Sequence, residues 1–152
     1  MNDAPEEVTD LEPPLDQGEW AGWSVWSGRQ PFVEHVGPFY TRRAADGNME
    51  CGCVARPEML NGQGVVHGGA LMAFADHAIF QIAYDQLRGL QGLTVSLNGE
   101  FLSAASANAR LIGRGEVLKA GRNLIFIQGL LKADDVPTLG FSGVVKVLRH
   151  HH

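Results

Sequence analysis

Asp76 is the residue whose position first calls for a chemical explanation. It falls inside Ala70–Leu87, the one long stretch with helical character, and its neighbours three and four residues away are Met72, Ala73, Ile79 and Phe80, all apolar. In mid-helix it cannot serve as an N-cap. A carboxylate on an apolar face is costly to bury unless a partner meets it, so the placement marks a candidate base or nucleophile. The plainer alternative is an Asp bonded to backbone or to a partner subunit. A polar stripe on the same helix, His77, Gln81 and Asp85, reads as its less buried face.

The segment entering this helix, Asn61-Gly62-Gln63-Gly64-Val65-Val66-His67-Gly68-Gly69, supplies the complementary chemistry. Glycines at a helix N-terminus leave unpaired backbone N–H groups where the helix dipole favours negative charge, and they let a substrate approach the backbone closely. That is how an oxyanion hole is built. The segment lacks the closing Lys-Ser/Thr of a phosphate-binding loop, and the chain has no Gly-x-Ser-x-Gly elbow. No grouping of His, Cys and acids at ligand spacing asks for a metal, and no cofactor is expected. Cys51 and Cys53 read as small core side chains.

The elements that must position these residues follow from hydropathy and turns. Val33–Arg43 and Gly47–Arg56 read as a strand hairpin around Asp46-Gly47. After the helix come strand-like runs near 92–102, 107–119, 122–132 and 138–149. Val95, Leu97 and Phe101 alternate with Ser96, Asn98 and Glu100, which predicts a sheet with one covered face and puts Thr94 and Ser96 together. Two strands, one helix and four strands give an α+β layer arrangement. Trp20, Trp23 and Trp26 recur every third residue, as on one side of a short helix packed as a lid on the core edge.

The chain has 152 residues with 45% apolar side chains, enough for one domain with a full core. Residues 1–18 hold six acids, no base and Pro13-Pro14, and read as an acidic flexible tail; 19–149 form the domain. His150–His152 read as a possible tag remnant. The net charge of −5 and the dilute basic residues argue against nucleic acid, and no apolar run is long enough to span a membrane. A cytoplasmic location is expected.

Asn61, then His67-Gly68-Gly69 six residues on, then Asp76 nine after the His, resembles the hotdog-fold acyl-CoA thioesterases of the phenylacetyl-CoA (PaaI) type, within the 4-hydroxybenzoyl-CoA thioesterase superfamily. Thr94–Leu102 resembles that family's third strand, and the likeness spans roughly residues 32–149. The resemblance implies a long central helix wrapped by a curved antiparallel sheet of about six strands. It implies a homodimer, assembled further into a homotetramer, with active sites at the dimer interface and an acyl-CoA as substrate.

Carried over by motif position, Asp76 activates water or attacks the thioester carbonyl, and Gly68 donates its N–H to the thioester oxygen. Asn61 helps to position thioester or water, Thr94 holds the water, with Ser96 as fallback, and His67 holds the loop. Gly69, Met72 and Phe80 are expected to contact substrate. Lys119 and Arg122, with Arg110 or Arg149, are candidates for the CoA phosphates. Two other readings compete: a hotdog hydratase or dehydratase using His67 with an acid across the interface, and a non-catalytic acyl-CoA-binding module.

Overall fold

The computed structural model describes residues 10–149. Its centre is α2, Gly68–Ile82, laid on a six-stranded antiparallel sheet in the order β1-β2-β4-β5-β6-β3. The strands are β1 (Tyr40–Arg43), β2 (Met49–Val54), β3 (Gly92–Phe101), β4 (Arg110–Ala120), β5 (Leu124–Ala133) and β6 (Val136–Val147). This is the helix-on-curved-sheet arrangement that the sequence implies.

The helix begins at Gly68 and breaks at Ala83 before a short α3, Tyr84–Leu87, so the expected Ala70–Leu87 helix starts earlier and is not continuous. Leu71, Phe74, Ala75, Ala78, Ile79 and Ile82 recur at three- and four-residue spacing and are all buried in the core. The sheet answers with missing side chains: a Cβ on Gly143 of β6 would lie 2.8 Å from Ile79 Cδ1. The β5–β6 hairpin turns on Asp134 and Asp135, both at positive φ, which fits a two-residue turn between Ala133 and Val136.

Three local expectations fail for physical reasons. Pro31–Val36 is a one-turn-and-a-half helix, α1, and not the start of a strand: Pro31 opens it, Glu34 sits in its first turn, and Gly37-Pro38 stops it. The hairpin itself forms around Asp46-Gly47, with Asn48 N donating to Asp46 Oδ1 at 3.0 Å. The three tryptophans lie on no helix. Trp20 and Trp23 are buried in turns and isolated bridges, Trp20 stacked on Tyr40 at 4.5 Å, so they do cover the core edge; Trp26 is only half-buried.

The third concerns β3. Thr94 pairs with Val145 and Ser96 with Val144, so Val95 is an extra residue in a bulge. Adjacent partners on β6 face opposite ways, and Thr94 and Ser96 therefore lie on opposite faces of the sheet. Thr94 shares the helix side with Leu97 and Gly99, while Val95 is 58% exposed. Ser96 Oγ instead meets Asn98 Nδ2 at 3.1 Å on the outer face. Of the segment expected as a tail, 1–9 lies outside the described residues, as do 150–152. Residues 10–15 are tied down: Glu12 N donates to Val25 O and Leu15 N to Trp23 O, both at 2.8 Å.

Candidate active site

The bulge delivers Thr94 to the helix. Thr94 Oγ1 donates to Asp76 Oδ1 at 2.6 Å, which supplies the partner that a carboxylate among apolar neighbours requires. Asp76 is half-buried and opens onto a cavity of about 700 Å³. Along α2, Ala73, Asp76, His77, Phe80 and Gln81 line that cavity, a second face at helical spacing beside the core face, and Tyr84 of α3 continues it.

The stripe His77, Gln81, Asp85 is thus corrected. His77 is 9% and Gln81 1% exposed; Phe39 packs on the His77 ring at 5.2 Å, and Trp26, Phe32 and Val33 from the chain before β1 line the same cavity. Only Asp85 reaches solvent, held by Arg43 through two bonds of 2.8 and 2.9 Å. That guanidinium holds the Asp85 carboxyl below its usual range, and the Tyr84 hydroxyl does the same for Asp10 at the cavity rim.

Burial pushes the His77 imidazole down to about 4. An unfolded histidine titrates near 6.5, so between about pH 6.5 and 4 the unfolded chain holds a proton that the folded one refuses. Stability is full above that window and falls as the pH drops through it, by about 3 kcal/mol. Denaturant unfolding at pH 7.5 and 4.5 checks this: His77→Gln should lose less stability over the interval than wild type, and parallel losses would refute the assignment.

The other candidates gather at the opposite end of α2. His67 is the N-cap, its Nδ1 accepting from Gly69 N at 2.8 Å, which leaves the ring proton on Nε2. A Cβ on Gly69 would stand 2.9 Å from that Nδ1, so the cap needs the glycine. Asn61 Oδ1 accepts from Gln63 N at 2.9 Å and Val65 N at 3.3 Å and so shapes the loop. Gly68, the first helical residue, has a backbone N–H with no acceptor among the described residues. It lines a second cavity of about 380 Å³ with Val66, Leu71, Phe101 and Leu102.

Eight residues of helix separate Gly68 from Asp76, a rise of about 12 Å. Within one chain the structure therefore brings Asp76 to Thr94 and His67 to Gly69 beside Gly68, with Asn61 bonded to Gln63 and Val65 in the loop before them, but it does not bring Asp76 to Gly68.

Phe80 lines the Asp76 cavity, whereas Met72 lines neither cavity and its sulfur lies over Gly99 of β3. Lys119 and Arg122 are exposed at the β4–β5 end and line neither cavity. Arg110 is committed elsewhere, stacked 4.0 Å over Trp20, and Arg149 donates to Arg122 O at 2.9 Å. The arginines on the Asp76 cavity are Arg29 and Arg88. Sequence reasoning missed both, because neither stands near the motif in the chain.

Residues 63–139 match the thioesterase superfamily. Acyl-coenzyme A thioesterase 13 of Homo sapiens is 29% identical over 95 residues, 62% of this chain and 68% of that protein. Among solved structures, a mutant of the phenylacetic acid degradation protein PaaI from Thermus thermophilus superposes with a TM-score of 0.67 at 24% identity, over 78% of this chain and 100% of that one. A hypothetical thioesterase from Streptococcus pneumoniae, crystallised with coenzyme A, gives 0.65 at 19% identity over 76% and 89%.

The fold and these matches together define a hotdog-fold thioester hydrolase. The chain belongs to the thioesterase superfamily.

Proposed function

We propose that the chain hydrolyses acyl-CoA thioesters with Asp76 as general base, at a site completed by a second copy of the chain. The observation that carries this is the Thr94–Asp76 hydrogen bond at 2.6 Å, in a cavity that no Gly68 N–H of the same helix can reach. Thr94 spends its proton on Oδ1 and keeps a lone pair free. A water can then sit between Thr94 Oγ1 and Asp76 Oδ2, oriented by both.

In this reading the water oxygen attacks the thioester carbonyl as Asp76 takes its proton. The negative charge that develops on the carbonyl oxygen is held by the Gly68 N–H of the second copy at its helix N-terminus. Collapse of the tetrahedral intermediate breaks the C–S bond, and the proton held on Asp76 goes to the leaving thiolate, giving acid and free CoA. His67 and Asn61 hold the donor loop and touch neither water nor carbonyl.

The edge strand supports assembly. Among the described residues β3 has no neighbour on its free side, and Leu93, Val95 and Phe101 along it are each more than half exposed. A long apolar edge of this kind is normally covered in a native protein. A homodimer through this region, pairing further into a tetramer, accounts for both the edge and the split site. Arg29 and Arg88 supply cations at the cavity for the CoA phosphates, with Lys119 and Arg122 reserved for a nucleotide that extends across the sheet end. No helix among the described residues is long and apolar enough to cross a membrane, in keeping with a cytoplasmic enzyme.

The test is thiol release from CoA esters of phenylacetate, hydroxybenzoate and short to medium fatty acids. Turnover of at least one supports the proposal, and a folded oligomer that releases no thiol from any of them contradicts it.

A further inference from the structure

The described chain begins at the rim of the cavity beside Asp76. Asp10 lines that cavity, and hydrogen bonds fix it from several sides. Tyr84 OH and Leu11 N donate to its Oδ1 at 2.8 and 2.7 Å, and its own N donates to Ser27 Oγ at 3.0 Å. Its carbonyl accepts from Ser27 N at 2.7 Å. The nine residues ahead of it are therefore tethered at the cavity rim. They include Asp3, Glu6 and Glu7 and no Lys or Arg.

The same rim carries cations that the fold leaves unspent. Arg29 and Arg88 line the cavity and are exposed. Arg29 meets Glu34 loosely, at 3.9 Å, and Arg88 has no ion-pair partner among the described residues. By contrast, Arg42, Arg43 and Arg114 each have a carboxylate at hydrogen-bond distance. Arg88 also caps α3 with φ 52° and ψ 43°, a left-handed conformation that favours glycine or asparagine. An arginine stands there against a backbone cost. The tethered carboxylates match these two guanidiniums in charge and in reach. At about 3.3 Å per extended residue, Glu7 and Glu6 reach roughly 10 and 13 Å from Asp10. Asp76 lies eight residues before Tyr84, a helical rise of about 12 Å, so that reach covers the cavity from rim to base.

We propose that the acidic segment ahead of Asp10 is an autoinhibitory arm that docks on Arg29 and Arg88 and competes there with the phosphates of CoA. The inference rests on the assignment of these arginines to CoA made above, and adds a control of substrate binding to it. A carboxylate offers the guanidinium fork the same pair of acceptor oxygens as a phosphate does. Exposed pairs of this kind are individually weak, so substrate can displace the arm. Tethering compensates, because it holds the arm at an effective concentration on the order of millimolar. An arm of that strength raises KM about three- to tenfold and leaves kcat unchanged, since it is gone before the chemical step.

The test compares wild type with a full-length variant carrying Asp3→Asn, Glu6→Gln and Glu7→Gln, which alters no residue of the described fold. Free CoA is titrated by calorimetry, and an acyl-CoA that wild type turns over is followed kinetically. At low salt the neutral-arm variant should bind CoA about three- to tenfold more tightly, with KM lowered by the same factor and kcat unchanged. The difference should vanish at about 1 M salt, where exposed charges are screened beyond roughly 3 Å. Arg29→Gln/Arg88→Gln should bind CoA more weakly and gain nothing from the neutral arm. A peptide of residues 1–10, added in millimolar amounts to the neutral-arm variant, should compete with CoA, and its Asn/Gln counterpart should not. Equal CoA affinity in wild type and neutral-arm variant overturns the arm and leaves the hydrolysis standing. A gain that persists undiminished in Arg29→Gln/Arg88→Gln overturns the docking site. A peptide that does not compete also overturns it, by reducing the effect to general repulsion of CoA. Binding of CoA by none of the folded proteins removes the assignment beneath the arm, and the arm with it.

Discussion

Asp76→Asn is expected to lower kcat/KM by about 10²- to 10⁴-fold, the range that a positioned general base contributes. The substitution is chosen to isolate chemistry from folding. Asn keeps an oxygen that can accept from Thr94 Oγ1, so the 2.6 Å bond that ties helix to β3 has a successor, and the half-buried site is not enlarged. What disappears is the capacity to take a proton from water. The loss should appear in kcat with KM little changed, because an interaction made only at the transition state is removed. Full activity in Asp76→Asn would mean that the proton goes elsewhere, and the hydratase-like role for His67 would then have to be reopened.

Gly68→Pro is expected to cost about 10²- to 10³-fold in kcat, the magnitude seen when one oxyanion donor is removed. The reasoning is again local. Gly68 is the first helical residue, where proline is tolerated because the lost N–H has no helical acceptor. The residue before it, His67, has φ −61° and ψ 136°, the extended conformation that a following proline demands. The one steric demand is on Phe101, whose Cζ would lie 3.2 Å from a new Cβ, so that the ring must give by a few tenths of an ångström. The variant therefore deletes a donor and spares the helix. Activity equal to wild type would show that the Gly68 N–H does not face the carbonyl oxygen.

Much of this was legible from the sequence where local chemistry and global fold agree. Gly68-Gly69 must open a helix, and an Asp eight residues on with apolar neighbours needs a partner, so helix and candidate base could be read directly. Thr94 was reachable only by resemblance, because alternation from Leu97 backwards points Val95 at the helix and Thr94 away; the bulge that reverses them leaves no mark in a period of two. His77 and Gln81 read as a solvent face because polarity on a helix ordinarily means water. Here it means a cavity lined also by Trp26, Phe32 and Val33, roughly fifty residues away in the chain, and no local pattern records that neighbourhood. The α1 helix did leave signals, Pro31 and Glu34, which the β-branched and aromatic residues around them outweighed.

The central claim is that base and oxyanion donor of one working site come from different copies of the chain, and mixing two inactive proteins tests it most directly. A homodimer of Asp76→Asn or of Gly68→Pro carries its one defect in both of its sites. After subunit exchange at equal concentrations, half the dimers are mixed, and each mixed dimer has one site with both groups intact. Thiol release should therefore recover to about a quarter of wild type, with mixed dimers verified by mass. Mixed dimers that form and stay as inactive as either parent would contradict a shared site.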